Sequence, residues 1–140
     1  LNRGVDGFRF DAVGNLVENG AAAWENQPEN FTLMNGVRQL VGSYQQRFMV
    51  CEGPSRPLQF ATSCGSAFAF GHQYDVINAA RGNTAAIAAV ADYFATAPAG
   101  MSTMLSNHDS FAGQRLWDQL GGNLAQYRLA AQVTVTHRLP

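Results

Sequence analysis

The chain has 140 residues, 46% of them hydrophobic and 14% charged, which is too apolar for a disordered tail and near the size of one domain. Its nine basic and ten acidic residues leave a net charge of −1, so no basic stripe is available for a nucleic-acid backbone. No apolar run reaches the roughly 18 residues that a membrane-spanning helix needs, and two cysteines, Cys51 and Cys64, are too few for a disulfide scaffold.

The first pattern is Val5-Asp6-Gly7-Phe8-Arg9-Phe10-Asp11-Ala12-Val13. Phe8 and Phe10 alternate with Arg9 and Asp11, a period of two that predicts a strand with Arg9 and Asp11 on one face. A Gly-, Asn- and Pro-containing loop follows, from Gly14 to about Asn30. Phe31, Met34, Val37, Leu40 or Val41, Tyr44 and Phe48 then recur at helical spacing and predict an amphipathic helix over 31–46. Arg47–Cys51 reads as a second strand, stopped by Gly53-Pro54, with Cys51 as a buried strand residue rather than a reactive thiol. The stretch with Pro54, Pro57 and Gly65 reads as irregular. Ala67–Phe70 is a third strand ending at Gly71-His72. Thr84–Phe94 is Ala-rich and helix-forming, and Pro98 and Gly100 end it. Ser102–Ser106 is a fourth strand candidate, leading into Asn107-His108-Asp109. A last helix is expected over about 123–134, capped from Gly121-Gly122-Asn123. Strands alternating with helices predict parallel βα units.

Asp11, Glu52 and His108-Asp109 each follow a predicted strand. In a parallel sheet or barrel that edge is where active sites form. The gap from Asp11 to Glu52 fits one barrel unit of roughly 31 residues with a long loop, and the gap from Glu52 to Asp109 fits two. Each feature alone has a plain structural reading: Arg9-x-Asp11 as an ion pair, Glu52 as a surface carboxylate, His108-Asp109 as a loop contact. A metal site from His72, Asp75, His108 and Asp109 has no established ligand spacing.

Gly4–Ala12 resembles the strand-four motif of the α-amylase family, glycoside hydrolase family 13. Cys51-Glu52 after an apolar strand is similar to that family's strand-five motif, and Leu105-Ser106-Asn107-His108-Asp109 to its strand-seven motif. The three occur in the family's order and span essentially the whole chain. The resemblance implies an α/β fold, a partial (β/α)₈ TIM barrel from about strand 4 to the helix before strand 8. Residues 1–140 would then be a fragment of the catalytic barrel domain. The abrupt ends, Leu1-Asn2-Arg3 and His137-Arg138-Leu139-Pro140, match that expectation and leave localisation unread.

The implied activity is retaining hydrolysis of α-glucans (starch or maltooligosaccharides) through a glucosyl-enzyme intermediate. By resemblance Asp11 is the nucleophile, Glu52 the general acid and then base, and Asp109 the third carboxylate. Such chemistry needs two carboxyl groups about 5–5.5 Å apart. Arg9, on the same face as Asp11, would keep it ionised, and apolar neighbours would raise Glu52. His108, Asn107 and, at the end of the third strand, His72 are the expected substrate contacts. Trp24, Trp117, Tyr74 and Phe111 are aromatics that could stack on sugar rings, though each is commonly core or rim packing. Many members continue the strand-four motif with Lys-His, which binds sugar and whose backbone often helps hold calcium. Here Val13, Gly14 and Asn15 follow Ala12. That leaves structural calcium an open question, and the chemistry itself needs no cofactor. Two alternatives stay open: interception of the intermediate by a sugar, giving a transglycosylase or a trehalose- or sucrose-type enzyme, and a fragment that is inactive or only binds sugar when isolated.

Overall fold

A computed structural model describes residues 1–109 and 114–136. The element order is β1 (Gly7–Phe10), a 3₁₀ turn (Val13–Asn15), α1 (Pro28–Gly42), β2 (Phe48–Cys51), α2 (Pro57–Cys64), β3 (Ala67–Phe68), α3 (His72–Ala80), α4 (Thr84–Thr96), β4 (Met101–Ser102), α5 (Leu116–Gln119) and α6 (Leu124–Thr136). The chain divides into two compact units, residues 1–70 with 98–102, and residues 71–97 with 103 onward.

The first unit holds a four-stranded sheet in the order β1-β2-β3-β4. Every pairing is parallel: Gly7–Phe10 against Phe48–Cys51, Cys51 against Ala67, and Ala67-Phe68 against Met101-Ser102. The chain is therefore α/β, as the strand–helix alternation predicts. In this register Phe10, Cys51 and Ala67 share one face of the pleat, while Arg9 and Val50 share the other. Cys51 and Ala67 are fully buried. Helices α1 and α2 add Met34, Val41, Phe60, Ala61 and Cys64 to the same core. Gly7 allows the β1–β2 approach, because a Cβ there would lie 2.4 Å from the Phe48 carbonyl oxygen.

Helix α1 begins earlier than its apolar periodicity, because Pro28 occupies the first turn with its φ already helical. The stretch expected to be irregular is helix α2. Pro57 and Gly65, which read as breakers, are its start and its stop: Pro57 stands in the first turn, and Gly65 closes the helix at φ +83°. The third and fourth strands are two residues each, shorter than expected.

In the second unit, α3 starts at His72, where the sequence reads a strand end. Asn83 caps α4 by accepting the Ala86 N–H at 3.0 Å, and Asn123 accepts the Gln126 N–H ahead of α6 at 3.1 Å. Val76, Ile77, Ala80, Leu116, Leu120 and Ala130 form the core of this unit.

Candidate active site

Asp11 directly follows β1 and Glu52 directly follows β2, so both emerge at the same edge of the parallel sheet. The pleat that puts Arg9 beside Val50 carries Asp11 and Glu52 to that same face two residues further on. Arg9 Nη2 lies 3.1 Å from Asp11 Oδ1 and 2.8 Å from Glu52 Oε2. One guanidinium nitrogen thus touches both carboxylates. Glu52 also hydrogen-bonds with the Asp11 side chain. The two acids differ in their surroundings. The Glu52 side chain is 6% exposed and that of Asp11 is 74% exposed.

Burial, first of all, raises the Glu52 carboxyl above the ordinary glutamate value. The hydrogen bond with Asp11 and the negative charge of Asp11 push the same way, while the Ala12 N–H and the Arg9 cation pull it back. Folded Glu52 keeps its proton to higher pH than unfolded Glu52, whose reference value is 4.5. The folded state then binds more protons in the window just above that value, so folding stability falls as pH rises through it. Urea unfolding across this window should show the decline, and Glu52→Gln, which keeps the shape without the ionisation, should flatten it. Equal slopes in both proteins would contradict this assignment.

Two features that build the site carry no motif of their own. Ala12 adopts a left-handed conformation, φ 42° and ψ 44°, unusual for a residue with a Cβ. This turn aims two successive N–H groups at Glu52: Ala12 donates to Oε2 at 3.2 Å and Val13 to the backbone oxygen at 3.0 Å. Strain at such a position is commonly stored at functional sites. Asn30, fully buried on α1, braces the loop that follows. Its side chain accepts the Val17 N–H at 2.7 Å and donates to the Gly14 and Val17 carbonyls at 2.8 and 3.2 Å. Ser55 donates to Glu25 Oε1 at 2.5 Å, tying the β1 loop to the β2 loop. The only sequence signal for Asn30 is a short polar residue inside an otherwise amphipathic helix.

Asn107, His108 and Asp109 belong to the second unit. They lie past β4, which ends at Ser102 rather than continuing to Ser106. The Asn107 side chain accepts the Asp109 N–H at 2.8 Å, the Asn107 backbone carbonyl accepts from Arg115 at 2.7 Å, and His108 Nε2 stands 3.5 Å from Asp109 Oδ1. His108 is exposed.

His72, expected from the sequence to end a strand, does not stand at the end of one. It opens α3 instead of closing a strand, and it is 4% exposed. Its ring stacks on Tyr93 at 3.8 Å and meets Phe94 edge-on at 5.0 Å. These contacts make it a core histidine of the α3–α4 pair. Trp24, Tyr74 and Trp117 are exposed, the last with its ring 5.9 Å from Tyr127. Phe111 lies outside the described residues.

Among the described residues, no three His, Cys, Asp or Glu side chains gather in a way that could hold a metal ion. Of the backbone carbonyls that follow Ala12, that of Gly14 is already taken. The Gly14 carbonyl already accepts from the Asn26 N–H at 2.7 Å and from Asn30 at 2.8 Å, which uses both of its lone pairs. Cys51 and Cys64 are joined as a disulfide, with Cα atoms 6.2 Å apart. The pair does not build a scaffold of bridges, but it does staple the end of β2 to the end of α2, a link that composition alone did not predict. Set against known proteins, the chain matches no family model and no curated sequence.

Proposed function

We propose that this chain is part of a retaining α-glucan hydrolase of the α-amylase type, with Asp11 as nucleophile and Glu52 as acid and then base. The observation that carries the reading is the Arg9 guanidinium touching both carboxylates at the exit edge of adjacent parallel strands. A buried carboxyl that holds its proton suits an acid that must protonate a leaving oxygen. An exposed carboxylate beside a fixed cation suits a nucleophile. Carboxyl groups in contact leave no room for the interposed water of an inverting enzyme, whose pair stands about 6.5–9.5 Å apart. Retaining chemistry needs about 5–5.5 Å, so a glucosyl ring entering the site would part the pair. Asp11, the exposed member, has more space to move than buried Glu52.

The reaction would then run in two displacements. Asp11 attacks the anomeric carbon while Glu52 gives its proton to the departing oxygen. Glu52, now a base, takes a proton from the water that breaks the glycosyl ester. Arg9 balances the charge of the pair in both steps. Asp109, His108 and Asn107 join as sugar contacts on the strength of the motif resemblance alone. Four parallel strands in unbroken chain order support strands four to seven of a (β/α)₈ barrel. A doubly wound sheet reverses its strand order at a switch point. β1 and β4 are the outer strands of this sheet. If it is a barrel segment, the isolated chain should aggregate through those edges and turn over no starch.

The test is to incubate the product of the intact reading frame with starch, pullulan and p-nitrophenyl α-glucoside and to follow the product anomer by NMR. The expected first product is the α-anomer, and initial release of the β-anomer would rule out the retaining route. The absence of Lys-His after Ala12 favours a second reading, transfer to a sugar instead of water. New linkages formed from maltose would mark it.

A further inference from the structure

The Cys51–Cys64 bond has no part in the chemistry above, yet it ends one residue from Glu52. Its effect on that residue can be traced through contacts. Cys51 is the last residue of β2 and pairs with β1 on one side and β3 on the other. Its side chain lies on the helix-facing side of the pleat, opposite to the side that carries Arg9 and Glu52. Cys64 is the last residue of α2. The bond therefore ties the backbone just before the acid to the far end of the helix that follows it.

That helix bears directly on the acid's other neighbour. Phe60, in the middle of α2, is fully buried and stacks on Phe31 at 4.5 Å. A Cβ placed on Gly53 would lie 2.1 Å from Phe60 Cδ2, so the ring rests on the Gly53 backbone. Glu52 is thus held between Cys51, bonded to the end of α2, and Gly53, covered by its middle. Arg38 on α1 steadies the same end of α2 through the Thr62 carbonyl at 2.8 Å. Two thiols cannot sit at bonding distance. Opening the disulfide therefore parts the two sulfurs and removes the tie between the end of α2 and the end of β2, and a shift of either end would move Phe60 against Gly53.

We propose that the Cys51–Cys64 disulfide is a positioning element for Glu52, and that reducing it lowers the activity of this site while the chain stays folded. Only the activity arm rests on the glycosidase reading. In the reduction a small dithiol supplies two electrons and two protons. The sulfur–sulfur bond breaks to two thiols, and the dithiol closes to its own disulfide. Both cysteines are buried, so the dithiol acts when the end of α2 opens locally. The groups facing Glu52 are Arg9, Asp11 and the Ala12 N–H, and all three lie on the β1 side, untouched by the bond.

The experiment uses the product of the intact reading frame in three forms: wild type, Cys51→Ala/Cys64→Ala, and Phe60→Leu with the bond kept. Circular dichroism reports folding, ¹³C-carboxyl NMR reports the titration of Glu52, and kcat and KM are measured on a maltooligosaccharide. Loosened from its buried seat, Glu52 should titrate closer to 4.5, its ordinary value, in both variants. kcat should fall by about ten- to a hundredfold, as expected when a catalytic group is misplaced from a distance, with KM nearly constant. Treatment with dithiothreitol should reproduce the loss in wild type, reoxidation should restore it, and the double-cysteine variant should not respond.

An unchanged Glu52 titration in folded variants overturns the proposal, even if starch is hydrolysed. A shifted titration in a protein without glucan activity upholds the positioning role and removes the glycosidase reading instead. If the double variant unfolds, wild type reduced with dithiothreitol and still folded by circular dichroism decides, and an unmoved Glu52 titration there overturns the proposal.

Discussion

Replacing Glu52 by Gln should lower kcat on a maltooligosaccharide by about 10²–10⁴-fold, the usual contribution of a general acid, and Asp11→Asn should be at least as damaging. Gln keeps the length and polarity of Glu52 but cannot release a proton to the leaving oxygen. A substrate with a good leaving group, such as an α-glucosyl fluoride, needs no such proton. It should therefore regain much of the first step in Glu52→Gln and almost none in Asp11→Asn, which lacks the attacking oxygen. This pattern separates the two roles proposed for the buried and the exposed carboxyl. Steady-state kinetics on both substrates provide the check. Activity within twofold of wild type in either variant would remove that residue from the mechanism.

Truncating Phe60 to Ala should cost about 3–5 kcal/mol of folding stability, the range for emptying a buried aromatic site. The ring is fully buried, stacked on Phe31, and in contact with the Gly53 backbone. The vacated space cannot be refilled from the sheet side, where Gly53 has no side chain to offer. Against a typical total of about 5–15 kcal/mol, a loss of this size should bring the urea midpoint down sharply, with little change in the slope. A loss below about 1 kcal/mol would mean that α2 collapses into the gap, as tolerant core sites can.

Much of this arrangement was legible in the residues. The alternation around Phe8-Arg9-Phe10-Asp11 is a backbone period, so it assigns Arg9 and Asp11 to one face wherever the strand sits. The apolar run before Glu52 and the cap Asn123 are local in the same sense. Helix α2 was hidden because Pro57 and Gly65 are strong turn residues when read singly, and only their spacing makes them a start and a stop. His72 was misplaced for a related reason. A short apolar run before Gly gives no sign that the next residue opens a helix, and the rings of Tyr93 and Phe94 that enclose it come from a later element.

What the sequence determined by itself is therefore periodic or local: the α/β class, the faces of β1, and the chemical types available at each strand end. What only the tertiary structure decided is how unequal those ends are. Asp11 and Glu52 are both carboxyls following apolar strands. Glu52 is buried under β1's turn, receives the Ala12 and Val13 N–H groups, and is flanked by the disulfide and by Phe60, while Asp11 stands in solvent. Burial and partnership arise from segments distant in sequence. Charge in a low-dielectric place depends on those neighbours rather than on the residue's own type, so the unequal surroundings of the two acids appear only once the chain is folded.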